Sequence, residues 1–169
     1  MKITLERETG ATFITGLFHY YLYELSVYVD IPLSDRGHFE VDDSVTGLSD
    51  YWSKPNHHAY LIRADGQVAG FVLLRPYPHE PDRMEVGQFY VLAKYQRNGI
   101  GGRAAAAAIA THSGNWLVRV LPQNHRAVAF WQSVIEPNAE GAVEVTTELY
   151  NGHLMNFYRF CAQNTKEGS

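Results

Sequence analysis

A single cysteine, Cys161, in 169 residues leaves no internal disulfide to form, which fits a reducing compartment. No Cys and His residues fall at the spacing of a zinc site, and the eight histidines are scattered. The adjacent His57 and His58 read as a strand-edge or surface pair. Basic residues are not in excess: 14 Lys and Arg against 18 Asp and Glu give a net charge of -4. A general nucleic-acid binder needs that excess to neutralise phosphates, so none is expected. No apolar run approaches the ~20 residues of a membrane span. The N-terminal Met1 to Arg7 alternates like a strand and lacks the apolar core of a signal peptide. A soluble cytoplasmic protein with no metal, no membrane partner and no nucleic-acid partner is expected. What remains is ordinary globular material, 46% hydrophobic and 19% charged, and the length favours one domain over 1–169.

Hydrophobic period and turn residues divide the chain. Lys2 to Arg7 reads as a strand. Ala11 to Val29 reads as a helix, with apolar residues at Phe13, Leu17, Tyr21, Leu25 and Tyr28, widened by Phe18 and Leu22, and stopped at Ile31-Pro32. Its aromatic surplus is core, with one or two tyrosines available to wall a pocket. Ser34 to Asp50 is a polar, acidic loop (Asp35, Glu40, Asp42, Asp43, Asp50) with room for a short helix around Ser44 to Trp52. His58 to Arg63 and Gln67 to Arg75 are strands joined by Asp65-Gly66, a hairpin signal. The second is apolar on both faces, as a covered central strand is. Pro76 to Pro81 reads as a proline loop at the sheet edge, and Met84 to Leu92 as the next strand. Ala104 to Thr111 is a helix, Trp116 to Val120 a strand, and Arg126 to Val134 a helix capped by Asn124 and stopped by Glu136-Pro137-Asn138. Val143 to Tyr150 and His153 to Phe160 form a second hairpin around Asn151-Gly152. Gln163 to Ser169 is a polar tail. The fold class is α/β (α+β): a mixed, mostly antiparallel sheet of six to seven strands with about four helices.

The chemistry concentrates in Gln96-Arg97-Asn98-Gly99-Ile100-Gly101-Gly102-Arg103, between the strand ending at Leu92 and the alanine block Ala104 to Ala108. Alanine is the best helix former. Glycines let backbone N–H groups approach an anion, and the helix start adds unpaired donors and a positive dipole end. A Walker loop requires Lys then Ser or Thr after its last glycine, where this chain has Arg103 and Ala104. A dinucleotide fingerprint would need a third glycine at Ala104, and no strand ending in an acid follows at the expected distance.

The spacing Gln96-x-x-Gly99-x-Gly101 resembles the pyrophosphate loop of the GNAT N-acetyltransferase superfamily. Asn124-His125-Arg126-Ala127-Val128-Ala129-Phe130-Trp131 resembles that family's second cofactor element, and the order of strands and helices is also similar. The resemblance is good from about Tyr60 to Trp131. It implies acetyl-CoA as donor substrate, held by Phe89, Tyr90, Val91, the loop from Gln96 to Arg103 (Gln96, Arg97, Asn98, Gly99, Ile100, Gly101, Gly102, Arg103), Asn124, Phe130 and Trp131. Backbone groups of Phe89 and Val91 would bond the pantetheine, and the Val91 N–H would face the developing oxyanion. Arg97 and Arg103 are either phosphate donors or surface charges. Asn124 can be a helix cap, a cofactor contact, or both.

Acetyl transfer to an amine also needs a base, because an alkylammonium of pKa ~10.4 is unreactive at neutral pH. By resemblance that base is Glu85, the carboxylate on the strand between Met84 and Val91. Gln88, on the opposite face by alternation, can orient water or acceptor. Many family members carry a Tyr that protonates the leaving thiolate where this chain has Trp131, and an indole N–H is no useful acid. Tyr90, Tyr95 and Tyr158 are the remaining phenols to fill that role. The expected function is acetyl transfer from acetyl-CoA to a primary amine of a small molecule or protein, by direct attack in a ternary complex. The alternative is a non-catalytic acyl-CoA-binding module. A succinyl or longer donor is compatible with the same residues, the acidic loop would favour a cationic amine, and the C-terminal hairpin with the aromatic surplus points to a homodimer.

Overall fold

The computed structural model of the protein describes residues 1–163. All of the C-terminal tail beyond Gln163 lies outside the described residues. Strands β1 (Ile3–Arg7), β2 (His58–Ala64), β3 (Gln67–Tyr77), β4 (Glu80–Val91), β5 (Gly114–Val120), β6 (Ala139–Tyr150) and β7 (His153–Ala162) form one sheet. Their order is β1-β2-β3-β4-β5-β7-β6. Every neighbouring pair is antiparallel except β4 and β5, which are parallel. Five helices accompany the sheet: α1 (Ala11–Leu25), α2 (Asp43–Thr46), α3 (Asp50–Ser53), α4 (Ile100–Ile109) and α5 (His125–Asn138). This is the mixed, mostly antiparallel α+β architecture expected, with one short helix more.

Two cores form because β3 is apolar on both sides. Val72 and Leu74 face Ala104, Ala105, Ala108 and Ile109 of α4 and Trp131, Val134 and Ile135 of α5. Phe71 and Leu73 face Ile14, Leu17, Phe18 and Leu22 of α1 and Tyr51 of α3. Each such buried side chain stabilises the fold by about 1.5–3 kcal/mol relative to exposure. The small alanines of α4 let that helix lie close on the sheet. Both predicted hairpins form. Asp65 and Gly66 have φ of 47° and 82°, and Asn151 and Gly152 have 48° and 80°, the paired positive φ that two-residue hairpins require.

Three boundaries and one buried position differ from expectation. Helix α1 ends at Leu25 rather than Val29, because Val27 is exposed with nothing to pack on, and Ser26 Oγ turns back onto Tyr23 O at 2.6 Å. Ile14 takes the inward place expected for Phe13, which is exposed. The Pro76 to Pro81 segment is not a loop: β3 runs through Pro76 and β4 includes Pro81, leaving a tight turn at Pro78-His79. The register shifts between Pro76 and Tyr77, and such irregularities are where a sheet tolerates proline. Pro137 lies inside α5 rather than beyond it, and Asn138 Nδ2 covers the Val134 carbonyl at 2.7 Å.

One irregularity positions the site. In β4, Val86 pairs with Leu74 and Gln88 with Leu73, so Gly87 is the extra residue of a bulge. Glu85 pairs with Arg75. The bulge therefore resets the alternation, and Gln88 shares a face with Glu85 instead of opposing it. Strand β5 pairs with β4 only from Met84 to Val86. Beyond the bulge the two strands part, and the edge of β4 from Phe89 to Val91 is left open.

Candidate active site

The opened edge carries backbone donors. Leu92 N–H bonds Ala69 O of β3 at 2.8 Å. By strand alternation the N–H groups of Phe89 and Val91 point the other way, into the gap left by β5. The Val91 carbonyl on that edge accepts from Gln96 Nε2 at 2.7 Å.

The glycine loop lies at the end of the same edge. Arg97 and Gly99 take positive φ, 64° and 72°, and Gly99 is the residue before α4. Alternating left-handed residues turn successive N–H groups to one side, as in an anion nest. Among the described residues, no hydrogen bond uses the N–H of Arg97, Asn98, Gly99, Ile100, Gly101 or Gly102. The first N–H to bond back is that of Arg103, to Gly99 O at 3.3 Å. Six consecutive donors at a helix N-terminus form a cradle suited to an anion. A Cβ on Gly101 would stand 3.2 Å from the Phe130 ring, so the close packing of α4 on α5 needs glycine there.

A cavity of about 690 Å³ joins the cradle to the open edge. Phe89, Tyr90, Val91, Gln96, Arg97, Gly99, Gly101, Gly102, Asn124, Phe130 and Trp131 all line it, as do Tyr21, Tyr23 and Tyr28 from α1 and the chain after it. Phe89 stacks on Phe130 with centroids 5.6 Å apart and meets Trp131 edge-on at 5.2 Å. Asn124 both lines the cavity and caps α5, its Oδ1 accepting from Ala127 N at 3.0 Å. An extended ligand with a diphosphate at one end and an amide-bearing arm fits this set of donors.

Some expected contributors face elsewhere. Arg103 turns to Met1 O at 2.8 Å. Ile100 is core, and neither it nor Asn98 lines the cavity. The Gln96 side chain braces Val91 O and accepts from Arg126 Nη2 at 3.1 Å. Arg126, which sequence reasoning passed over, lines the cavity beside Arg97. Of the three phenols considered for thiolate protonation, Tyr90 lines the cavity, whereas Tyr158 is in the core. The Tyr90 hydroxyl donates to Glu24 Oε1 at 2.9 Å, and burial, then Glu24, pushes its pKa up.

Glu85 is held by structure rather than left free. Its side chain has no exposure, Oε2 accepts from Arg75 Nε at 2.9 Å, and Oε1 accepts from Arg119 Nε. Both carboxylate oxygens are engaged by guanidiniums, and Glu85 does not line the cavity. Glu24 of α1 is the carboxylate on the cavity wall instead. Its Oε2 also accepts from Gln96 Nε2 at 3.3 Å. It was missed because it lies on an early helix, yet it is the one Asp or Glu in α1, a signal available in the sequence. The acidic loop is largely committed to local structure. Asp42 caps α2 by accepting from Ser44 N, Asp43 accepts from Ser49 N and Oγ, and Asp50 pairs with Lys54.

An open strand edge beside a diphosphate cradle defines an acyl-CoA-binding transferase fold. The family model for the acetyltransferase (GNAT) family matches residues 20–135, and the chain belongs to that family. A crystal structure of an acetyltransferase from Thermus thermophilus superposes with a TM-score of 0.66 at 18% identity, covering 95% of this chain and 97% of that one. A spermidine N-acetyltransferase from Vibrio cholerae, in complex with CoA and spermine, gives 0.63 at 15% identity, with 95% of each chain covered. An acetyltransferase from Salmonella typhimurium with acetyl-CoA gives 0.58 at 13% identity, covering 100% and 98%. A probable N-acetyltransferase of Mycobacterium tuberculosis is 30% identical over 74 residues, which is 43% of this chain and 42% of that protein. The match thus spans less than half the length of the curated relative.

Proposed function

We propose that the protein transfers an acetyl group from acetyl-CoA to a primary amine in a ternary complex. The observation that carries this reading is the continuity of one cavity from the glycine loop at Arg97, Gly99, Gly101 and Gly102, along the open edge of β4, to the carboxylate of Glu24. When bound, acetyl-CoA supplies an acetyl thioester whose C–S bond breaks as the N–C bond forms.

The cradle from Arg97 to Gly102 holds the diphosphate, with Arg97 and Arg126 adding charge. Phe89 and Val91 present backbone donors along the gap, the Val91 N–H standing ready for the negative charge that develops on the acyl oxygen. Such preorganised donors act in a site with little water, where they are strongest. Glu24 accepts the proton that the amine must lose, directly or through water. Tyr90 donates its hydroxyl to Glu24 and orients that carboxylate, and the sulfur leaves as a thiolate, a tolerable leaving group because free thiols have pKa ~8.5. Glu85, expected as the base, instead fixes Arg75 and Arg119. Trp131 packs against Phe89 and shapes the wall.

The test is release of free CoA thiol in the presence of amines, with Glu24→Gln beside the wild type. The reading expects amine-dependent release that falls by about 10²–10⁴-fold in the variant, with acetyl-CoA affinity unchanged. Binding without turnover across the panel favours the acyl-CoA-binding module instead. The same assay with succinyl-CoA fixes the donor. Val145, Leu149 and Leu154 are exposed on the β6–β7 hairpin and supply a surface for a homodimer. A monomer by light scattering at micromolar concentration refutes that part.

A further inference from the structure

The face of the sheet toward α1 and α3 contains a charge imbalance that the transfer chemistry does not use. Arg75 on β3 and Arg119 on β5 both bond the carboxylate of Glu85 on β4. Their side chains are 15% and 9% exposed, and that of Glu85 is 0%. The remaining neighbours are neutral. Arg75 Nη2 donates to the Tyr150 hydroxyl at 3.0 Å, and Arg119 Nη1 points to Met155 Sδ at 3.5 Å. The Arg119 guanidinium also lies 3.6 Å from the centre of the Tyr150 ring. Two cations share one anion, so one positive charge is left in a site shielded from water. Such a charge is costly unless an anion joins it. The lower end of the same face is charged the other way, for Arg83 and Arg159 there meet Glu80, Glu148 and, at 4.0 Å, the exposed Glu144.

Donors for that anion are present. Among the described residues, Arg75 Nη1, Arg119 Nη2 and the Tyr51 hydroxyl make no hydrogen bond. None of the three is sealed in, because the buried polar side-chain atom without a partner is His58 Nδ1 alone among the described residues. Tyr51 Oη stands over the bulge, 2.0 Å from where a Cβ on Gly87 would be. The charges of both arginines reach Tyr51, and that of Arg119 reaches Tyr21 on the cavity wall. None of the three residues lines the cavity itself; they gather at Gly87, just past the last pair of β4 with β5, Val86 with Val118. Two strand steps, about 7 Å, separate Gly87 from Phe89.

We infer that the acetyl acceptor is a small amine bearing an anionic group within a few bonds of its nitrogen, an α-amino acid or close analogue, with its carboxylate seated on Arg75 Nη1, Arg119 Nη2 and the Tyr51 hydroxyl. This rests on the acetyltransferase reading and narrows it. A guanidinium pair recognises a carboxylate by parallel N–H bonds. It repels a second ammonium, so polyamines are poor ligands for the same place, and a simple alkylamine offers it no group to bond. The acidic loop does not oppose this, since Asp42, Asp43 and Asp50 are engaged locally.

The experiment compares CoA release with matched pairs on the wild-type protein: each L-amino acid against the amine that remains when its α-carboxylate is removed, with spermidine as a dicationic control. The expected result is that at least one amino acid is acetylated with kcat/KM 100-fold or more above its decarboxylated partner. In Arg119→Gln that preference falls at least tenfold, chiefly through KM, while acetyl-CoA affinity holds. Equal or better turnover of the decarboxylated amines or spermidine overturns the anionic acceptor and leaves the acetyltransferase reading standing. Acetyl-CoA binding without turnover of either series overturns the acetyltransferase reading and this inference with it. Should Arg119→Gln fail to fold, the wild-type comparison alone decides.

Discussion

Replacing Glu85 by Gln separates a structural carboxylate from a catalytic one. The side chain keeps its size and loses its charge, and two guanidiniums, 15% and 9% exposed, then share no counter-ion. Breaking a buried pair by removing one partner costs about 3–5 kcal/mol. Here the upper part of that range applies, because the carboxylate serves two cations. For a chain of this size, 1 kcal/mol moves the melting temperature by roughly 2–4 °C, so Glu85→Gln should melt roughly 8–20 °C below the wild type. The assay is thermal unfolding by circular dichroism, paired with CoA release at a temperature where both proteins are folded. Removing Arg119 as well, in Glu85→Gln with Arg119→Met, leaves one unpaired guanidinium rather than two and recovers part of the loss. A melting temperature within about 2 °C of wild type, with kcat down 100-fold, would refute this reasoning and restore Glu85 as the base.

Other outcomes follow from particular contacts. A Cβ on Gly70 would lie 1.9 Å from Tyr90 O, so Gly70→Ala must push β3 from β4 and should cost at least about 1–3 kcal/mol by urea denaturation. Asn124→Ala removes the α5 cap and should cost about 1 kcal/mol while also weakening acetyl-CoA binding in a calorimetric titration. Hydrogen bonds from Arg159 hold the carboxyls of Glu80 and Glu148 below their ordinary value of 4.5. Their contribution is therefore complete above that pH and is lost as pH falls through the lowered values. In Arg159→Met the stability measured by urea denaturation should decline less steeply below that pH than in the wild type, and an unchanged slope would remove the pairing from the account.

The glycine turn before α4 was legible because its requirements are local: a left-handed Gly99 at the helix start and an N-cap at Asn124 are met within a few residues, whereas the close approach at Gly101 is to Phe130 on the next helix. The pairings of β2 with β3 and of β6 with β7 were readable for the same reason, through hairpin turns at Asp65-Gly66 and Asn151-Gly152. Glu24 was not, because its partners Tyr90 and Gln96 lie 66 and 72 residues away and reach it only once α1 has packed on the sheet. The fate of Glu85 was hidden likewise. Arg75 and Arg119 are 10 and 34 residues from it in sequence, and a bulge at Gly87 sets which side chains share its face. Strict alternation placed Gln88 opposite Glu85, and one extra residue reverses that. The proline segment misled because proline was read as a loop former, whereas the register shift at Pro76 lets the strands run past it.

The most direct test of the central claim is a single-turnover experiment with acetyl-CoA labelled in the acetyl group, run with and without a mixture of L-amino acids and simple amines. The account predicts that label appears on an amine nitrogen, with one equivalent of free CoA for each amine acetylated, and that Glu24→Gln slows this without weakening acetyl-CoA binding. Label that stays on CoA while the protein is saturated with it would contradict the account, and would leave a protein that holds acyl-CoA in its cradle without transferring the acyl group.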